Sequence, residues 1–241
     1  MGSALQDKRV VVLGGTGGIG FATAEAAARE GARLVIVARR QEGIDHAVAR
    51  LPAGTEGYAA DLSREASIAD LFARIGAFDH LVFVAGEPLH LGPIASTVID
   101  EARAAFTIRY WGAYAAAKYA APHIRPGGSI AVASGNAGAR PQKGWTVATS
   151  ICGAVEALVR ALAVELAPIR VNAVAAGVVR TDLWSSIPPA EREALFAQIA
   201  STLPVGRVGA PADIAEAYVY LMRDGFSTGA VLMLDGGGVL V

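Results

Sequence analysis

Short runs of β-branched and other apolar residues alternate along this chain with longer, alanine-rich stretches whose apolar positions recur at helical spacing. Strands are predicted at Arg9 to Leu13, Arg33 to Val37, Glu56 to Ala60, His80 to Val84, Ser129 to Ala133, Arg170 to Val174 and Val231 to Leu234. Helices fit between them at Gly18 to Glu30, Ile44 to Leu51, Ser63 to Ile75, Asp100 to His123, Val147 to Leu166 and Pro211 to Met222. Alternation without a composition break predicts one doubly wound α/β domain over residues 1–241, with about seven parallel strands covered by helices on both faces. The one irregular insertion, Thr181 to Pro204, carries prolines and a short amphipathic stretch at Ala190 to Ile199, and is expected to be a mobile substrate lid.

The first strand runs into Gly14-Gly15-Thr16-Gly17-Gly18-Ile19-Gly20, where the helical pattern begins. Glycines at 14, 18 and 20 permit a tight turn, close approach of backbone to a pyrophosphate and close packing of helix on strand, with Thr16, Gly17 and Ile19 in the same anion-facing loop. A glycine motif alone is weak evidence. Here a strand precedes it, a helix follows it and a second strand lies about 20 residues on, which makes a Rossmann-type dinucleotide site the reading. After that second strand Ala38 stands where an NAD-preferring site holds a carboxylate, and Arg39 and Arg40 follow. Arg39 can bind a 2′-phosphate and stack on adenine, so NADP(H) is expected in preference to NAD(H). The competing reading is a solvated basic pair.

Charge and composition narrow the partner. With 21 Lys and Arg against 22 Asp and Glu the net charge is −1, which gives no basic footprint for nucleic acid and leaves a small molecule as the expected ligand. The N-terminal charges and the glycines after Val10 to Leu13 argue against a signal peptide or a membrane span. One cysteine and four histidines offer no ligand set for structural zinc, and a reducing, cytoplasmic setting is expected. Mean hydropathy of +0.41 is high, so a homodimer or homotetramer is expected to bury some of the apolar surface.

Taken together, these pieces resemble the short-chain dehydrogenase/reductase family over nearly the whole chain. The resemblance rests on the Gly14 to Gly20 turn, Asp61-Leu62 after the third strand, Ala85-Gly86 after the fourth, Arg170 to Val174 with Gly177 and Thr181, and Gly229 to Gly237. It implies that Asp61 holds the adenine with Leu62 beside it, that backbone around Ala85 and Gly86 lines the ribose, and that Thr181 touches the carboxamide. In the family an Asn, a Ser and a Tyr-x-x-x-Lys pair carry the chemistry. Anchored on Gly153-Ala154-Val155-Glu156, the resemblance puts Ala148 at the Tyr position and Cys152 at the Lys position. No tyrosine lies between Ser134 and Ala217, and the only lysine there is Lys143. Arg109 falls at the Asn position, and Ser134 lies beside the Ser slot, which Gly135 takes.

A literal Tyr-x-x-x-Lys at Tyr114 and Lys118 sits one helix early. On a regular helix these residues lie about 140° and about 180° around from Arg109, so they are expected to face away from the chemistry. Arg109 can supply the lost positive charge or stabilise an oxyanion, against the alternative of a structural pair with Glu87. Ser134 can bind a substrate oxygen, against the alternative of capping local backbone. Tyr110, Trp111, Trp145 and Thr146 are pocket candidates against the alternative of core positions, His90 is a possible proton donor against the alternative of a solvated loop histidine, and Cys152 reads as a small buried hydrophobe. The expected function is therefore an NADP(H)-dependent oxidoreductase with an altered catalytic set, acting on a fairly apolar carbonyl, imine or conjugated substrate. The alternatives are a silent cofactor-binding sensor or partner subunit, and a non-redox lyase or isomerase on the same scaffold.

Overall fold

A computed structural model describes residues 4–241. Its centre is a seven-stranded sheet in the order β3-β2-β1-β4-β5-β6-β7, all pairs parallel. The strands are β1 (Arg9–Leu13), β2 (Arg33–Ala38), β3 (Glu56–Ala59), β4 (Phe78–Phe83), β5 (Ile124–Gly135), β6 (Arg170–Ala176) and β7 (Val231–Leu234). Strand order reverses between β1 and β4, which opens a crevice at their carboxyl ends.

Alternation along each strand divides the core. Val11, Leu13, Val35 and Val37 face one side, under α3 (Glu65–Ile75), α5 (Ala113–Ala120) and α6 (Thr146–Glu165). Val10, Val12, Leu34 and Ile36 face the other, under α1 (Gly18–Arg29) and α8 (Pro211–Arg223). Between β2 and β3 runs α2 (Gln41–Val48). By length and composition α6 would pass for a membrane span, yet it lays Ile151, Val155, Val159 and Leu162 into the sheet's core.

Two predicted elements differ from what is observed. The helix predicted over Asp100 to His123 is broken into α4 (Ile99–Ala104), a π-helical segment (Thr107–Gly112), α5 and a 3-10 turn (Ala121–His123). The Glu87 carboxylate accepts the N–H groups of Ile108 (2.5 Å) and Arg109 (3.3 Å), drawing these amides out of the regular ladder. The predicted short stretch at Ala190 to Ile199 is part of a 14-residue helix, α7 (Pro189–Thr202), with a small core of its own in which Trp184 and Phe196 meet Val208. Trp184 Nε1 donates to the Val179 carbonyl at 3.0 Å, which ties this core to the end of β6.

Several residues of the resemblance motifs brace this frame. Asn172 receives the Ala230 N–H and donates to the Ser227 carbonyl, joining β6 to the approach to β7. Arg170 donates to the carbonyls of Leu221 and Met222, closing the end of α8.

Candidate active site

At the carboxyl ends of β1, β4, β5 and β6 lies a cavity of about 520 Å³. One end is made of backbone. Gly14 has φ +91°, and a Cβ there would stand 2.8 Å from the Ala85 nitrogen, so the turn holds its glycine against β4. A Cβ on Gly20 would meet the Gly14 carbonyl oxygen at 2.2 Å, which is the close packing of helix on strand expected for the third glycine. Gly17 is the N-cap of α1 and supplies no side-chain cap, and a Cβ there would meet nothing within 4 Å. The first turn of α1 therefore turns uncapped N–H groups toward open space at the cavity's edge. This cradle fits a nicotinamide dinucleotide's pyrophosphate. Ile19, Gly86, Gly177 and Thr181 line the same cavity, and the Thr181 methyl stands 3.4 Å from where a Gly18 Cβ would be.

The remaining cofactor candidates lie outside it. Arg39 and Arg40 are exposed beyond β2. Asp61 is half-buried and accepts from the Ser63 N–H and hydroxyl at 3.0 and 2.6 Å, bonds that hold its carboxyl below the ordinary aspartate range, with the charges of Arg64 and Arg39 adding to the effect. Leu62 is buried behind the π segment, where its carbonyl oxygen would lie 2.8 Å from a Cβ on Gly112.

The other end of the cavity is made of side chains. Arg109 enters from the π segment, donates to the Glu87 carbonyl oxygen and lies across Gly86, where a Cβ would stand 2.7 Å from the guanidinium carbon. Burial pulls the Arg109 pKa down and the nearby Glu87 charge opposes this, so the guanidinium enters the cavity as a held cation. The Glu87 carboxylate spends its bonds on the backbone of Ile108 and Arg109. Ser134 lies in the last two residues of β5 and donates to Glu156 Oε1 at 3.0 Å. Ala148 and Cys152 look in from α6, and burial pushes the Cys152 thiol up, with the nearby Ser134 hydroxyl and the Gly135 N–H acting in the opposite direction. The thiol thus stays protonated at neutral pH.

Leu89, Leu91, Ala105, Trp145, Ile151 and Trp184 complete an apolar wall. Neither tyrosine nor lysine is among the described residues that line the cavity. His90 lines it near the rim, 3.9 Å from Glu101. Tyr110 instead packs edge-on against Trp111, with ring centres 4.9 Å apart. Tyr114 and Lys118 line a separate outer hollow, and Lys118 Nζ donates to Glu65 Oε1 at 2.8 Å. They face away as expected, although uniform helical spacing does not describe the π-helical path from Arg109 to them.

Two acids in this arrangement had only indirect sequence signals. Glu156 follows Cys152 by four residues, hence on the same helical face, but served in sequence only to fix a register. Glu87 was visible as a partner for Arg109, whereas its hold on the π-helical backbone had no sequence signal.

Residues 14–238 match the family model described as enoyl-(acyl carrier protein) reductase. The chain is 33% identical over 256 residues to the short-chain dehydrogenase/reductase fsr5 of Gibberella fujikuroi, covering 99% of this chain and 97% of that protein. It is 32% identical over 254 residues to the short-chain dehydrogenase/reductase malC of Malbranchea aurantiaca, covering 98% and 96% respectively. The solved MalC reductase/Diels-Alderase superposes with a TM-score of 0.91 at 30% identity, over 99% of both chains. A small-chain dehydrogenase in complex with NADPH superposes with a TM-score of 0.86 at 34% identity, over 98% of this chain and 100% of that one. With the uncapped glycine cradle, the strand reversal above it and matches along nearly its full length, the chain belongs to the short-chain dehydrogenase/reductase family.

Proposed function

We propose that this protein is an NADP(H)-dependent oxidoreductase that reduces a fairly apolar carbonyl, imine or conjugated substrate with a non-standard catalytic set. The observation that carries this reading is a single cavity joining the glycine cradle to Arg109 and Ser134, with no tyrosine or lysine among its described lining residues. In this reading Ala148 and Cys152 occupy the family's Tyr and Lys positions. A bound dihydronicotinamide supplies the hydride. The chain's own residues hold the pyrophosphate on the first turn of α1, exclude water with the Leu89, Trp145 and Trp184 wall, and meet the substrate's polar atom with Ser134. Arg109 supplies the positive charge that steadies a developing oxyanion or orients a carboxylate. Its seat across Gly86 supports that role, since the cation is held before any substrate arrives.

Preference for the phosphorylated cofactor is supported by Ala38 and Arg39 and by the NADPH held in the similar dehydrogenase. The test is a titration of the purified protein with NADPH and NADH, followed by fluorescence, and then a screen of carbonyl and imine substrates for NADPH consumption. Micromolar, NADPH-selective binding with turnover is expected. Absence of binding by either cofactor overturns the reading in favour of an interaction partner.

One observation favours a second reading. The MalC neighbour is described as both a reductase and a Diels-Alderase, which supports a pocket that also shapes a non-redox reaction in this chain. We also propose a homo-oligomer, since Trp111, Tyr114 and Val164 are exposed at 60%, 45% and 81% on α5, its approach and α6.

A further inference from the structure

Ser134 reaches the cavity with its proton already engaged. Its hydroxyl donates to Glu156 Oε1 at 3.0 Å, and a hydroxyl so committed turns its oxygen lone pairs toward the cavity. Glu156 is half-buried and is not among the residues lining the cavity, so it meets a ligand only through Ser134. Room for the carboxylate comes from Gly138, where a Cβ would stand 3.0 Å from Oε1 and 3.1 Å from the Cys152 Cβ. The Cys152 thiol on α6 lies beside this pair, and the Gly135 N–H on β5 and the Arg109 guanidinium from the π segment act on that thiol. None of them is a general acid suited to neutral pH. The thiol is pushed up by burial and the guanidinium stays charged.

We propose that Ser134 and Glu156 form a two-link proton relay serving the oxygen of a carbonyl or alcohol substrate, with Ser134 touching that oxygen and Glu156 holding the proton behind it. The proposal rests on the oxidoreductase reading. In the oxidising direction the substrate O–H breaks and its proton passes to Ser134 Oγ, while the proton of Ser134 passes to Glu156 Oε1. The C–H pair leaves as hydride to an oxidised nicotinamide, and the oxygen's freed pair closes the C=O bond. Reduction is the reverse, and the half-buried carboxylate is recharged with one proton from solvent. Ser134 is then the catalytic residue, and Glu156 is a positioning residue that acts through it.

Two readouts test this, one without turnover. Cys152 is the only cysteine in the chain, so the pH dependence of its alkylation by iodoacetamide reports the charge beside Ser134. Glu156→Gln is expected to lower the thiol's midpoint, because a carboxylate charge that opposes the thiolate is removed. A midpoint unmoved by Glu156→Gln overturns the relay.

The second readout compares NADPH oxidation by phenanthrenequinone, whose reduction needs a proton on oxygen, with that by an N-methyl dihydroisoquinolinium salt, which accepts hydride and needs no proton. The ratio of quinone to iminium rates is expected to fall about 10²–10⁴-fold in Glu156→Gln and in Ser134→Ala, the span of general acid catalysis. The double variant is expected to be no worse than either single one, and Glu156→Asp to recover part of the loss. Equal loss on both substrates makes Glu156 a packing residue and overturns the relay. So does a wild-type protein that binds NADPH and fails to reduce the quinone. A wild-type protein that binds no NADPH overturns the oxidoreductase reading instead, and the thiol titration still decides whether the Ser134–Glu156 pair carries charge.

Discussion

The two ends of the cavity are built from different materials. At the cofactor end the determinants are missing side chains: Gly14, Gly17 and Gly20 let backbone approach backbone and leave N–H groups open. At the other end they are side chains drawn from separate elements, with Glu87 after β4, Arg109 from the π segment, Ser134 from β5, and Cys152 and Glu156 from α6. A backbone site has few solutions and tolerates little change, whereas a side-chain site can exchange its chemistry while the frame stays the same. The lining of the other end has Arg109 and Ser134 but no described tyrosine or lysine.

The glycine end leaves the least room for change. In Gly20→Ala the new Cβ would fall 2.2 Å from the Gly14 carbonyl oxygen and 2.8 Å from a Val84 methyl, so the turn must shift. Loss of measurable NADPH binding is expected, together with a destabilisation of about 1–3 kcal/mol from overpacking, read by denaturant unfolding. Gly17→Ala separates the two effects because its Cβ meets nothing within 4 Å. As an N-cap, where Gly is preferred to Ala, the position is expected to lose only about 0.5–1 kcal/mol of stability, while NADPH binding weakens as the methyl enters the anion's space. Unchanged NADPH affinity in Gly17→Ala would place the anion elsewhere.

At the side-chain end, Arg109→Ala is expected to lower turnover by about 10²–10³-fold, the scale for losing one preorganised charged donor, with NADPH affinity held within about threefold. Equal losses in turnover and cofactor affinity would instead make Arg109 part of the cofactor cradle.

What was legible in sequence follows the same division. Near-continuous apolar runs such as Val10 to Leu13 and Val171 to Val174 announce strands buried on both faces, and each strand predicted from them is present. The Gly14 to Gly20 turn is read locally because its function lies in consecutive backbone groups. The break at Thr107–Gly112 is not, because it is set by a carboxylate some 21 residues away and the intervening sequence suits a regular helix. Helix α7 is longer than its sequence pattern predicts for a related reason. Its apolar residues Leu195, Phe196 and Ile199 pack against Trp184 and Val208 in a side core, and no single stripe faces the main sheet. Glu156 was hidden by its exposed-looking type, since only the fold brings it to Ser134.

His80 probes the frame beneath both ends. It is 3% exposed at the start of the shared central strands, and its Nδ1 lies 2.9 Å from Ser129 Oγ. Burial is the main cause that lowers its pKa from 6.5 to about 4. The folded-state value lies below the unfolded one, so the unfolded chain binds more protons between the two. Stability from neutral His80 is therefore complete above about pH 6.5 and is lost as the pH falls toward about 4. The loss is of order 3 kcal/mol, from about 1.4 kcal/mol per unit. Chemical unfolding across this range is expected to show the slope in wild type and a shallower one in His80→Gln. An unchanged slope would move the acid sensitivity to another group such as Asp79, which is buried against Lys8 and Arg125 and titrates below the ordinary aspartate range.

The smallest expected effect lies where the backbone end passes into side-chain chemistry. Arg39 is exposed at the end of β2, and its charge is felt at Asp61 across the edge of the cofactor crevice. A 2′-phosphate there would gain charge-assisted bonds, but solvent and salt screen an exposed guanidinium, so the gain is modest. Arg39→Asp is accordingly expected to weaken NADPH binding about tenfold more than NADH binding, on the scale of one charged hydrogen bond. The gap should shrink as salt is raised. Equal weakening of both cofactors would free Arg39 from the phosphate and leave the glycine cradle, which does not distinguish the two, as the dominant source of cofactor affinity.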